Sequence, residues 1–174
     1  MNKKVLKIIS TVIAFALCFP LHFLYDKFPN FITSIFSPVN ESIWEHMKIL
    51  FTSILLTGVL QKMYVSIKKI NYNNICISNF IGAILSIPIF LILFLPTFNI
   101  IGENLIVTIV IMFITIAICE LISYKIMNKP EHKLENDTIF FAIGVYILFI
   151  ILTYFPPHFG IFMDQTTSTY GIKK

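Results

Sequence analysis

The sequence predicts an all-α polytopic membrane protein. Residues 1–174 form a single integral membrane domain, a bundle of five transmembrane helices with a short juxtamembrane helix before the second. Three observations carry this. Of the 174 residues, 57% are hydrophobic and only 13% charged, about half the charge of an ordinary soluble domain, and mean hydropathy is +0.85. So little charge cannot clothe a soluble surface, which sets aside soluble globular, disordered and nucleic-acid-binding classes and leaves the lipid bilayer as solvent. The apolar residues gather into five runs close to the roughly 20 residues that cross a bilayer core. Finally, all 13 cationic side chains are lysines, and they collect in the connections, where they act as topology signals.

The first run covers residues 5–25, behind Lys3, Lys4 and Lys7. A basic start and an apolar run are two marks of a signal peptide. However, Ala14-Phe15-Ala16 lies inside the run, and bulky Leu17 stands before Cys18 where a lipoprotein cleavage box wants a small residue. The run is therefore expected to stay as a helix, with Pro20 near its far end. A polar stretch follows to Lys48. Ser37 before Pro38 reads as a helix start: a capping hydroxyl, proline at the first position and Glu41 in the first turn. At about 100° per residue, Asn40, Glu41, Trp44, Glu45 and Lys48 fall on one wet arc of about 140°. Ile43 and Met47 lie opposite, with Ser42 and His46 on a strip between. Trp44 is expected as an interfacial anchor.

The second run covers 49–65 and the third 75–95, with Gly82 and Pro88 inside it and a turn expected from Pro96. The fourth, 105–127, contains Glu120, an intramembrane carboxylate and so a functional candidate, although an interfacial position or a lysine partner would also account for it. The fifth covers 138–155, contains Gly144, and stops at Pro156-Pro157, which cannot continue a helix. Gly82 and Gly144 are expected at close helix packing. Cys18, Cys76 and Cys119 form no paired motif and read as small buried hydrophobes.

Orientation follows from the lysines. With the amino terminus inside, Lys27, Lys48, Lys173 and Lys174 fall outside, and the other nine of the 13 fall inside. Positive charge concentrates in the cytoplasm, so the amino terminus is expected inside and the carboxyl terminus outside, in a multi-pass protein of the cell membrane. That orientation sends His22, His46 and His158, with Asp26, Glu41, Glu45, Glu103 and Asp164, to the outer boundary. His22 and Asp26 are spaced i, i+4, so a carboxylate could orient the imidazole. Glu41 and Glu45, also i, i+4, repel unless Lys48 or a cation lies between them. The tail from Pro156 interleaves aromatic residues with His158 and Asp164 and is expected to fold over this face.

The stretch Pro38-Val39-Asn40-Glu41-Ser42-Ile43-Trp44-Glu45-His46 resembles a motif in a family of small bacterial integral membrane proteins, domain of unknown function 6512. The end of the first run, Leu21-His22-Phe23-Leu24-Tyr25-Asp26, and the Pro156-Pro157-His158…Asp164…Tyr170-Gly171 tail extend the resemblance over nearly the whole chain. Gln165 and Thr169 depart from the family's pattern. The family has no established activity to transfer, so the resemblance implies a membrane location and marks the same outer residues.

The candidate catalytic set is therefore His22, Asp26, Glu41, Glu45, His46 and His158. Candidate metal ligands are His22, Glu45, His46 and His158, since imidazole mixed with carboxylate suits a divalent cation such as zinc. At least three of His22, Glu41, Glu45, His46 and His158 are expected to meet around one outer pocket, although Glu45 and His46 project about 100° apart and cannot both enter it. A membrane-embedded, metal-dependent hydrolase or transferase is one reading. A non-catalytic subunit or assembly factor and a small permease are the alternatives.

Overall fold

The computed structural model describes residues 2–102 and 104–172; Glu103, Lys173 and Lys174, used above, lie outside the described residues. Among those described are six α-helices: α1 (Lys3–Lys27), α2 (Phe31–Phe36), α3 (Ile43–Ile67), α4 (Ile75–Ile101), α5 (Leu105–Met127) and α6 (Thr138–Tyr154). The tail adds a 3₁₀ turn (Gly160–Phe162) and a minimal antiparallel hairpin, β1 (Met163–Asp164) with β2 (Thr169–Tyr170), in which Met163 faces Tyr170. Four helices, α1, α3, α4 and α5, are long and apolar enough to cross a membrane.

The juxtamembrane helix is not where Ser37-Pro38 places it. Ser37 ends α2 in an extended conformation, as a residue before proline prefers. The short helix ahead of α3 is α2, started by Asn30 in a reciprocal capping box with Thr33. Residues 37–42 are not helical, and the Trp44-Glu45-His46 stretch opens α3 itself, where Ser42 Oγ accepts from Glu45 N at 3.3 Å. Two capping serines compete here; both are extended, but Ser37 Oγ is taken up by Leu21 O and Tyr25 N of α1, and Ser42 caps the helix. Pro96 does not end α4 either. The helix runs on to Ile101, and Gly102 follows at φ +78°, a backbone conformation glycine reaches because it has no Cβ; just beyond Pro96, the Thr97 hydroxyl donates to Leu93 O at 2.7 Å.

α3 is the central helix, packed on α1 and α4, while α5 closes against α1 and α4. Ile49, Leu50, Phe51 and Ile54 are fully buried. α6 reaches α3 through aromatic side chains, with Phe51 meeting Tyr146 and Phe149 at centroid distances of 5.4 Å. The part of the predicted wet arc that lies on α3 is instead packed, while Glu41 stays exposed. Trp44 is buried between Phe149 and Phe162, and Glu45 and Lys48 are buried too, because α6 and the tail cover that face. Outward positions such as Val12, Ile106 and Phe140 form an exposed apolar belt.

Close approach of α3 and α4 depends on Gly58, where a Cβ would stand 2.7 Å from Asn79 Cβ. Gly82 meets the Cys119 carbonyl of α5. Gly144 faces open space, so its expected packing role is not borne out. The cysteines are free; Cys18 and Cys119 are buried and Cys76 is half-buried.

One end of the bundle joins the start of α1 to the end of α5: Lys3 Nζ donates to Met127 O at 2.8 Å and lies over the Tyr72 ring. Somewhat deeper, Lys7 pairs with Glu120 at 3.0 Å and donates to Asn79 Oδ1 and Ser123 Oγ. Asn79 in turn donates to Gln61, which donates to Ser10. Glu120 thus has a lysine partner, one from the first helix. The network joins α1, α3, α4 and α5 and keeps the buried charges paired, as an apolar interior requires.

Candidate functional site

The opposite end carries His22, His46 and His158, while the fourth histidine, His132, lies at the Lys3 end, where its backbone N–H donates to Asn74. Ser37 ties the 37–42 loop to the end of α1: its Oγ donates to Leu21 O at 2.5 Å and accepts from Tyr25 N at 3.0 Å. Asn40 Oδ1 accepts from Ser42 N, and Asn40 Nδ2 donates to Gly171 O at 2.8 Å, so the same loop is held to the tail. Glu45, buried beneath it, accepts from Val39 N at 3.1 Å and from Thr153 Oγ1 at 2.8 Å and pairs with Lys48 at 2.5 Å. Lys48 donates onward to Ser34 O at 2.8 Å. These contacts hold Glu41 at the top of α1 and α3.

Glu41 Oε2 lies 3.5 Å from His22 Nε2 and 3.6 Å from His46 Nε2. The two imidazoles meet at a centroid distance of 5.4 Å. Ligand atoms of His22, Glu41 and His46 all lie within 4.8 Å of one another. The tautomer of His46 follows from its neighbour. Nδ1 lies 2.9 Å from Ser42 O, and a carbonyl only accepts, so Nδ1 carries a proton; in the neutral imidazole Nε2 then presents its lone pair to Glu41. A carbonyl behind one ring nitrogen is how proteins orient imidazole ligands. His22 Nδ1 is buried without a protein hydrogen-bond partner. The hydrogen bond from His22 is the main cause that holds the Glu41 carboxyl below its ordinary value; burial opposes it and the nearby His46 adds to it.

Beside the three residues lies a cavity of about 190 Å³, walled by Phe90, Phe94 and Phe98 of α4 and Leu105 and Thr108 of α5, with Gln165 of the tail at its rim. Phe162 packs on Trp44 at 5.0 Å, and Asp164 bridges Ser42, so the tail folds over this end. Electron-pair donors converging beside an open, mostly apolar cavity can hold a cation and leave a coordination position free for a small molecule.

Of the residues named from sequence, the structure brings His22, Glu41 and His46 together. Glu45 is a correction as a ligand: its oxygens are taken by Lys48, Val39 and Thr153, and it lies on the α6 side of α3, as the 100° offset from His46 requires. His158 is a second correction. It is exposed and stacks on Tyr170, with centroids 4.6 Å apart, because the tail turns at Pro156-Pro157 and carries it away. Asp26 is exposed, and the carboxylate in range of His22 is Glu41, held there by Ser37. Glu41 itself stands in the motif but was not among the metal ligands read from sequence. Thr108 and Gln165 had no sequence signal as lining residues; each reaches the cavity only through the packing of α5 and the tail.

The model of a family of unknown function (DUF6512) matches residues 1–172. The chain belongs to that family. The match takes in every residue of the cluster and the tail that covers it. No curated protein and no solved structure matches the chain.

Proposed function

We propose that this DUF6512 protein crosses the cell membrane five times, amino terminus inside, and holds a divalent cation of the zinc class on His22, Glu41 and His46 at its outer face. The cation would serve a hydrolase or transferase reaction on a lipid or envelope substrate. The fifth crossing is α6. It has 17 residues, about 26 Å of helix, and runs from the level of Lys62 and Met63, with which Thr138 shares a cavity wall, to that of Glu45, to which Thr153 donates. Buried Lys7 and Lys48 no longer count as loop charges, yet the excess on the amino-terminal side survives their removal, one from each side.

The observation that carries the cation is the convergence of the His22, Glu41 and His46 ligand atoms within 4.8 Å of one another, with His46 Nδ1 held by Ser42 O. A lone pair aimed at a carboxylate oxygen 3.6 Å away is repulsive unless a proton or a cation sits between them. Two imidazoles and one carboxylate form the donor set of hydrolytic zinc centres, in which the open position activates water or polarises a carbonyl. The test is metal analysis of protein purified in detergent and reloaded with zinc. The wild type is expected to retain about one zinc per chain, and a His22→Ala, His46→Ala variant to lose affinity by a factor of 100 or so. Glu45→Gln and His158→Ala should retain the metal if they fold. Negligible, equal metal in the wild type and the double variant would overturn the proposal.

A further inference from the structure

The imidazoles face a second space. On the α1 side of His22 and His46 lies an apolar groove of about 210 Å³ between α1 and α5, walled by Phe15, Phe19 and Phe23 on one side and Ile109 and Met112 on the other. It shares His22, His46, Leu105 and Thr108 with the site cavity. The groove and the cavity therefore adjoin at the candidate ligands. Phe19 and Phe23 are 46% and 52% exposed, so the groove opens sideways from the bundle. From His22 to Phe15 is seven residues of α1, about 10 Å along the helix axis. The groove leads away from the cluster toward the middle of two helices that are long and apolar enough to cross a membrane.

We infer that this groove holds one acyl chain of a membrane lipid, with the chain's ester linkage at His22, Glu41 and His46. This rests on the cation reading above and names its substrate class. An apolar groove at that depth is surrounded by hydrocarbon, and besides the imidazoles its polar side chains are Cys18 and Thr108, each of which donates to a carbonyl four residues earlier in the chain. The first functional group met on leaving the groove is the one at the head of the chain, an acyl ester, while a phosphate would lie further out toward Gln165. Hydrolysis there balances with water alone. A water oxygen bonds to the ester carbonyl carbon, and the bond from that carbon to the alcohol oxygen breaks. One water proton goes to the departing alkoxide, and the other is released as the fatty acid ionises.

The experiment uses full-length protein in phosphatidylcholine nanodiscs doped with a phosphatidylcholine whose acyl chain carries a diazirine. After illumination, adducts are mapped by peptide mass spectrometry, and metal content is measured on the same samples. Adducts per residue at Phe15, Ile109 and Met112 are expected to exceed those at the lipid-facing α6 positions Phe140 and Ile143 at least fivefold. Ile109→Trp should cut the groove adducts at least fivefold with metal retained. Equal labelling of groove and α6 in metal-loaded wild type would overturn the acyl-chain site and leave the cation reading standing. Groove labelling in protein that binds no metal would instead refute the cation reading, and the ester assignment with it. The wild-type labelling pattern decides the groove even if the tryptophan variant fails to fold.

Discussion

Replacing Lys48 by methionine removes the cation from a carboxylate that has nowhere to go. Lys48 and Glu45 are 2.5 Å apart, with side chains 0% and 2% exposed. At an effective dielectric constant of 20, charges at that spacing attract by about 7 kcal/mol. Desolvation costs several kcal/mol for each ion, so the intact pair comes close to breaking even against an apolar replacement. Loss of one partner does not break even. Lys48→Met leaves Glu45 buried with only Val39 N and Thr153 Oγ1 as donors, and the expected loss of stability is about 3–5 kcal/mol. Glu45→Gln, Lys48→Met removes both charges and is expected to cost less than about 2 kcal/mol, the scale of the remaining hydrogen bonds. The assay is a double-mutant cycle on thermal unfolding in detergent, read by fluorescence of buried Trp44. A double variant no more stable than Lys48→Met, or a single variant as stable as wild type, would refute the reasoning.

Other outcomes follow from the same contacts. Gly58→Ala should destabilise by about 1–3 kcal/mol, because its Cβ would stand 2.7 Å from Asn79 Cβ; thermal unfolding measures it, and a neutral result would mean that α3 and α4 separate easily. Glu120→Gln leaves Lys7 charged and unmatched, so it should be less stable than the Lys7→Met, Glu120→Gln double variant in the same assay. The Glu41 carboxyl is held below its ordinary value, so its stabilising share is complete above that value and disappears as pH falls through the depressed one. The difference in unfolding temperature between wild type and Glu41→Gln should therefore close at acid pH. A carboxyl-terminal alkaline phosphatase fusion is expected to be active and a cytoplasm-only fluorescent fusion dark, and the reverse would invert the bundle.

The helices were legible because apolar runs bounded by lysine, asparagine and proline mark them directly. Their ends were less so. Ser37-Pro38 and Ser42 both carry helix-start chemistry, and only the tie from Ser37 to α1 decides between them. The neighbourhood of His22 and His46 followed from equal membrane depth, but the role of Glu45 did not. Helical spacing puts Glu45 and Lys48 on one arc, and periodicity alone does not say whether that arc meets water or α6. The pairing of Glu120 with Lys7 joins residues 113 positions apart, which no local pattern encodes. Gln165 reaches the cavity only because the hairpin folds the tail back, and it was read from sequence merely as a departure from the family's motif.

The measurement that bears most directly on the central claim is X-ray absorption at the zinc edge on reloaded, purified protein. Two nitrogen scatterers with imidazole signatures at about 2.0–2.1 Å and carboxylate oxygen at about 2.0–2.2 Å are predicted, with the imidazole signal lost in His22→Ala, His46→Ala. A first shell of sulfur, or of oxygen alone, would contradict the assignment of the cation to His22, Glu41 and His46.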